Sequence, residues 1–236
     1  MSTPPNSTPS SHLTFPSGTR LPHFARFGAL AIALTLLVAT ALPITGCKSR
    51  GGSGSADGID PVSTDQRIAK AQGFMQQGDQ QYKSNQIDDA IESYKQAILA
   101  YNDLPMAWNN LGLLLVKRNK DRDRLAAVEC FKTAADQDRT DPRPVANIGA
   151  VYHEMSYLDD AAKWYAQALE RDPNFWPALV NSIAVDHLRD HRGEDTAERI
   201  RRALLRTDDP QWTDYLKRQK EIVEGRLAET RKPLGQ

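Results

Sequence analysis

A spacing of glycine, alanine and aromatic residues recurs three times between residues 78 and 168, and it constrains the fold more than any other feature. Each copy begins with a glycine and ends with an alanine, an aromatic residue and a second alanine at i, i+4 and i+7. This spacing places the last three residues on one face of a helix. Glycine in a helix interior costs about 1 kcal/mol relative to alanine, so its recurrence indicates very close helix–helix contact. The three copies are Gly78, Ala90, Tyr94 and Ala97; Gly112, Ala127, Phe131 and Ala134; and Gly149, Ala161, Tyr165 and Ala168.

Two stretches of the chain resemble a known repeat. The segment "WNNLG" from Trp108 and the segment "DDAAKWYAQALERDPN" from Asp159 are similar to the tetratricopeptide repeat, a pair of antiparallel helices of 34 residues. The resemblance extends over about residues 70 to 210. It implies an all-α fold, a right-handed superhelical solenoid of antiparallel helix pairs.

The period divides the array, residues 63–210, into about four repeats. We expect the first three at 71–104, 105–141 and 142–175. The second has three extra residues, which fall in the charged stretch "NKDRDR" between its two helices. Pro105 and Pro142 lie at expected helix starts, where a missing N–H is harmless. A C-terminal capping helix over 211–230 and a tail over 231–236 complete the prediction, with nine helices in all.

The fourth repeat, from Trp176 to about Asp209, is degenerate and allows two registers. If Trp176 is its first residue, Ile183 takes the small helix-contact position. The register that begins at Pro177 is preferred, and it puts six residues on core positions. These are Val180, Ile183, Ala184, Thr196, Ile200 and Ala203.

The N-terminal region, residues 1–46, is predicted to be a disordered tail followed by a signal peptide. Arg20 and Arg26 precede the apolar run of residues 27–42, which is typical of a secretory signal. The segment "ITGC" that ends at Cys47 resembles the lipobox of bacterial lipoproteins. This resemblance implies that Cys47 is lipidated and becomes the first mature residue. The alternative is an uncleaved signal anchor with an inert thiol.

Residues 47–62 contain the glycine- and serine-rich stretch "GGSGSADG" and are expected to be a flexible linker after the lipidated cysteine. We therefore predict a lipid-anchored protein of the bacterial cell envelope that faces the periplasm. Lys48 after the cysteine favours the outer membrane. The chain has 30 basic and 30 acidic residues, and such a balance gives no reason to expect a nucleic-acid partner.

The resemblance assigns a concave groove to the first helix of each repeat, and the expected partner is a protein or an extended peptide. An asparagine amide both donates and accepts hydrogen bonds, so a ladder of them could bind a peptide backbone. The competing interpretation is that these asparagines make helix-to-helix hydrogen bonds. The candidate contact residues are Asn109, Asn110, Leu113, Lys117, Arg143, Asn147 and His153, with Asn181 in the Trp176 register and Val116 and Ala150 as neighbours.

Little in the sequence points to catalysis, and we expect a scaffold or adaptor without enzymatic activity or cofactors. One narrower alternative is a pilotin-like lipoprotein that assists pilus or secretin assembly. Another is a metal-dependent enzyme that uses His187 and His191, which share a helix face only if the helix continues through residue 191. Cys130 lies beside the packing stripe and is expected to be a small buried residue.

Overall fold

The computed structural model describes residues 63–231, which form nine α-helices and no strand. The predicted signal peptide, Cys47, the whole predicted linker and residues 232–236 lie outside this range. The helices are α1 (Thr64–Lys83), α2 (Ile87–Ala100), α3 (Pro105–Arg118), α4 (Asp123–Gln137), α5 (Pro142–Glu154), α6 (Leu158–Arg171), α7 (Trp176–Leu188), α8 (Glu194–Leu204) and α9 (Pro210–Thr230).

The helices stack in successive pairs along the chain. Helix α1 packs against α2, α3 against α4, α5 against α6 and α7 against α8, and each pair packs against the next. The predicted repeat boundaries agree with the helix starts, since α3 begins at Pro105 and α5 at Pro142. The all-α repeat fold is therefore confirmed for residues 63–231.

The repeated glycines lie where the aromatic ring of the second helix presses on the first helix. A Cβ at Gly112 would lie 2.5 Å from Cε1 of Phe131, and a Cβ at Gly149 would lie 2.9 Å from Cδ1 of Tyr165. Distances below 3.0 Å are not tolerated by real Cβ atoms. Phe131 and Tyr165 are 1% exposed, so the tight contact predicted from the sequence is confirmed.

The extra residues of the second repeat form a turn that an ion network holds in place. Asn119 and Arg122 have φ of 53° and 65°, in the left-handed region. Arg118 donates to both carboxylate oxygens of Asp123, at 2.8 and 2.7 Å, and also to Asp88 at 3.0 Å. The guanidinium of Arg118 holds the pKa of Asp123 below its ordinary value.

The fourth repeat combines the two registers. In α7 the pattern of buried and partly exposed residues repeats that of α5 with an offset of 34, so Ile183 takes the place of Gly149 and Asn181 that of Asn147. In α8 the buried Thr196, Ile200 and Ala203 follow the Pro177 register. The preferred register is therefore right for α8. In α7 its Val180 and Ile183 are buried, but Ala184 is partly exposed and does not take the small helix-contact position.

The cause of this split is the turn between α7 and α8, which spans residues 189–193, against residues 155–157 between α5 and α6. The longer turn shifts the second helix by one position relative to the first. The glycine–aromatic contact of the first three repeats is also replaced in the fourth. Ile183 takes the glycine position and Ile200 the aromatic position, and both lie in the hydrophobic core.

Helix α9 covers the end of the stack by packing on α8. Leu216, Gln219 and Val223 are its buried residues, and most of its remaining surface is charged or polar. The ring of Trp212 meets that of Trp176 edge to face, with 5.6 Å between centroids. A polar outer face is what the terminal element of a repeat stack needs for solubility. Between residues 63 and 231, no helix is both long and apolar enough to cross a bilayer.

Candidate partner-binding groove

The first helices of the repeats form the inner layer of the stack. Helix α3 contacts α5, and α5 contacts α7, whereas α4 approaches α6 less closely and α6 approaches α8 less closely. A stack whose first helices lie closer together curves toward that side. The face presented by α1, α3, α5 and α7 is called the groove below.

Three of the predicted asparagines are joined in one hydrogen-bond chain across the groove helices. Asn147 on α5 donates through Nδ2 to Oδ1 of Asn109 on α3, at 2.9 Å. Asn109 donates weakly to Asn110 at 3.4 Å, and Asn110 donates to the hydroxyl of Tyr94 at 3.0 Å. Tyr94 in turn donates to Asp79 on α1. The chain links α5, α3, α2 and α1.

This arrangement separates the predicted asparagines into two groups. Asn109 and Asn110 are each 8% exposed, and their amides bond to neighbouring helices, as the competing interpretation expected. Asn147 and Asn181 are partly exposed. Asn181 makes no side-chain hydrogen bond to another residue of the described range 63–231, and Asn147 keeps its carbonyl oxygen and one N–H. These two amides are the ones that a peptide in the groove could reach.

The remaining predicted contact residues differ in how much they offer a partner. Lys117 is exposed, and its Nζ lies 4.3 Å from the ring centroid of Tyr82, a cation–π contact that orients it across α1 and α3. His153 is partly exposed, and loss of solvation lowers its pKa. Leu113 is buried, while Val116 and Ala150 are partly exposed.

Arg143 lies near the start of α5 and forms an ion pair with Asp141, at 2.8 Å. The hydrogen bonds that Arg143 donates to the Asp141 carboxylate raise the pKa of Arg143. Because this guanidinium already has a carboxylate partner, it is a weaker candidate for binding a peptide C-terminus than an isolated arginine would be.

Sequence reasoning missed a difference between the repeats at the residue that follows each glycine. In the first repeat this residue is Asp79, which accepts from Tyr94. In the second it is Leu113, and the aromatic residue is Phe131, which has no hydroxyl. In the third repeat, alanine occupies this position while the aromatic residue is again a tyrosine. Comparing the glycine-following residue with the aromatic residue, repeat by repeat, would have revealed the mismatch.

The tyrosine of the third repeat is Tyr165, and its hydroxyl is buried without a partner. The side chain is 1% exposed, and no hydrogen bond to the hydroxyl is found among the residues described. Burial first, and then the charge of Glu154, raise the pKa of Tyr165, so the hydroxyl stays protonated and able to donate.

The histidine pair does not form the arrangement that a two-histidine metal site would need. Helix α7 ends at Leu188, and His191 lies in the following turn with Nε2 3.1 Å from Oδ1 of Asp195. Within the described part of the chain, no group of three or more histidine, cysteine, aspartate or glutamate residues is placed to hold a metal ion.

Two other buried groups are explained by packing. Asp186, 3% exposed, accepts from Thr196 at 2.7 Å and from Arg199, so this buried carboxylate ties α7 to α8. Cys130 is buried, as expected. Burial raises the pKa of its thiol to about 12, which makes the thiolate scarce near neutral pH.

Comparison with known proteins finds the same type of repeat in two parts of the chain. Residues 78–118 match a family model described as "TPR repeat", and residues 143–175 match one described as "Tetratricopeptide repeat". The protein O-mannosyl-transferase TMTC3 of Homo sapiens is 32% identical over 102 residues, which is 43% of this chain. The match spans only 11% of the human protein.

Solved structures resemble the fold. The crystal structure of MamA protein has a TM-score of 0.51 at 17% identity and covers 74% of this chain and 83% of its own. The first repeat domain of Spaghetti (RPAP3), solved with an HSP90 peptide, has a TM-score of 0.48 at 20% identity. It covers 52% of this chain and 95% of its own.

Proposed function

We propose that this member of the tetratricopeptide repeat family is a scaffold that binds an extended segment of a partner protein in its groove. The observation that carries the proposal is the pair of reachable amides, Asn147 on α5 and Asn181 on α7. They occupy the same position on adjacent groove helices, and each can both donate and accept. Such groups suit the backbone of an extended chain, whose N–H and C=O groups alternate.

The spacing of the groove helices fits this mode of binding. Packed helices lie about 8–10 Å apart, and an extended chain advances about 3.3 Å per residue. A peptide that crosses the groove therefore passes from one repeat to the next every three residues or so. Lys117 on α3 is exposed and His153 on α5 is partly exposed, and they add a cation and an imidazole to the groove helices.

The groove is tested with a double variant, Asn147→Ala with Asn181→Ala, in full-length protein cross-linked in membranes of its native host. We expect recovery of the specific partner to fall at least about tenfold, the loss of roughly one good hydrogen bond. The matched control is Lys163→Ala with Gln167→Ala, on the exposed face of α6. Equal recovery with the groove variant and the control variant would contradict groove binding.

We further propose that a lipid on Cys47 anchors the scaffold to a membrane, with the outer membrane favoured over the inner one, and that the scaffold faces the periplasm. The support is the "ITGC" sequence after a charged and apolar signal. Two or more acyl chains hold a protein on a bilayer almost permanently, whereas one chain does not. Mass spectrometry of the membrane-extracted protein tests this directly. A peptide that contains Thr45 to Lys48 uncut, with an unmodified thiol, would refute the anchor.

A further inference from the structure

The ring of Tyr165 on α6 lies against the groove helix α5, and its hydroxyl is buried. Its ring packs on Gly149 as the ring of Tyr94 packs on Gly78, with ideal Cβ distances of 2.9 and 2.8 Å. The two tyrosines therefore lie alike in their repeats. Tyr94 has two side-chain partners, and Tyr165 has none among the residues that the structure describes.

The first repeat shows which groups such a hydroxyl needs. Tyr94 donates to Asp79 and accepts from Asn110 on the next groove helix. With the offset of 34 found for α7, the residue that corresponds to Asn110 beside Tyr165 is Asn181. The residue that corresponds to Asp79 is Ala150, which carries no acceptor. Ala150 and Asn181 are both partly exposed, so a partner in the groove can contact the two residues that correspond to the partners of Tyr94.

The surrounding charges indicate that the missing acceptor is neutral. Lys83 lies one turn beyond Asp79, and Lys117 takes the same position in the second repeat. Either lysine would favour a carboxylate nearby. The corresponding residues of the third and fourth repeats are Glu154 and Leu188. A carboxylate brought beside Tyr165 would meet the like charge of Glu154, whose ion pair with Arg124 is long at 3.9 Å, and no new cation at these positions. Such an arrangement is costly in a partly buried site.

We propose that Tyr165, Ala150 and Asn181 form a notch that receives a side-chain carboxamide, asparagine or glutamine, of the partner segment. The Tyr165 hydroxyl donates to the carboxamide oxygen, and Asn181 Oδ1 accepts from the carboxamide N–H. Ala150 leaves the room that Asp79 and Leu113 fill in the preceding repeats. This inference rests on the proposed binding of an extended segment in the groove and specifies one of its side chains.

The experiment uses the full chain in detergent and a phage-displayed library of random linear peptides as the probe. Selected peptides are synthesised, and their affinities are measured for the unmodified protein and for Tyr165→Phe, Ala150→Asn and Asn147→Ala. Tyr165→Phe removes only the hydroxyl, and Ala150→Asn supplies a carboxamide from the protein itself. Tyr94→Phe is the matched control, because its hydroxyl already has partners within the fold. Circular dichroism establishes that each variant is folded.

We expect the selected peptides to share an asparagine or glutamine whose replacement by alanine weakens binding about tenfold. Tyr165→Phe and Ala150→Asn weaken binding of these peptides by a similar factor, while Tyr94→Phe leaves it unchanged. If Tyr165→Phe does not fold, Ala150→Asn decides the matter alone.

Each other result would overturn a defined part of the reasoning. Peptides sensitive to Asn147→Ala but indifferent to Tyr165→Phe and Ala150→Asn would refute the notch and leave groove binding intact. A shared aspartate or glutamate at the sensitive position would refute the neutral chemistry and with it the proposal. A library with no peptide sensitive to Asn147→Ala would refute the notch and the proposed groove binding together.

Discussion

Replacing Gly112 by alanine tests the central packing contact of the fold. The new Cβ would lie 2.5, 2.8 and 2.9 Å from three ring atoms of Phe131, where ordinary contact begins at 3.4 Å. The ring must move by about 0.9 Å at its closest atom. Phe131 is 1% exposed, so it has no free space into which it can turn, and neighbouring side chains must move as well.

The expected cost follows from two opposing effects. Overpacking of a core costs about 1–3 kcal/mol, and three overlapping ring atoms place Gly112→Ala at the upper end. Alanine in a helix interior gains about 1 kcal/mol over glycine. The free energy of unfolding should therefore fall by about 2 kcal/mol. For a domain of this size, that corresponds to a fall in melting temperature of about 4–8 °C.

The assay is urea and thermal unfolding of the full chain in detergent, followed by far-UV circular dichroism. Gly225→Ala in α9 is the matched control, because nothing lies within 4 Å of a Cβ at that position. It keeps the helix gain without the clash, and we expect it to stabilise the chain by about 0.5–1 kcal/mol. Gly112→Ala with stability equal to or above that of the unmodified chain would refute the contact reasoning.

Three further predictions concern polar groups in the core and at the turns. Tyr94→Phe should lower the free energy of unfolding by about 1–2 kcal/mol because two side chains lose their partner, whereas Tyr165→Phe should change it by less than about 0.5 kcal/mol; urea unfolding compares the two. The Cys130 thiol, whose pKa burial raises to about 12, should resist iodoacetamide in the folded chain at mildly alkaline pH and react after unfolding, as mass spectrometry of its peptide would show. Arg118 lowers the pKa of Asp123 below 3.8. The stabilisation that this ion pair gives the folded chain is therefore complete above pH 3.8 and is lost as the pH falls through the lowered pKa of Asp123. Acid unfolding of Arg118→Met should begin at a higher pH than that of the unmodified chain.

The repeat fold could be predicted from residues that are close in sequence. Each glycine and its aromatic partner lie within one repeat, and their contact sets the distance between the two helices of that repeat. Pro105 and Pro142 mark helix starts because proline fixes φ and lacks an N–H. The helix pairs over residues 63–204 and the final helix α9 therefore lie where the pattern put them.

The fourth repeat shows where this reasoning fails. One register was assigned to the whole repeat, but the turn of residues 189–193 shifts α8 relative to α7. Turn length is weakly encoded, since solvent-exposed turns tolerate extra residues at little cost. Whether the first or the second helix follows a given register is settled by which residues pack against α6 and α9.

The sequence by itself determined the helical repeats, the starts of α3 and α5 and the helix contacts at the glycines, because these depend on spacing along one chain segment. Only the tertiary structure decided what each polar group in the groove does. Asn109 and Asn110 are tied into the helix stack, Asn147 and Asn181 face outward, and Tyr165 keeps a hydroxyl to donate. The physical reason is that a hydrogen bond depends on distances and directions of a few tenths of an ångström between side chains on different helices, and the period of a repeat does not specify them.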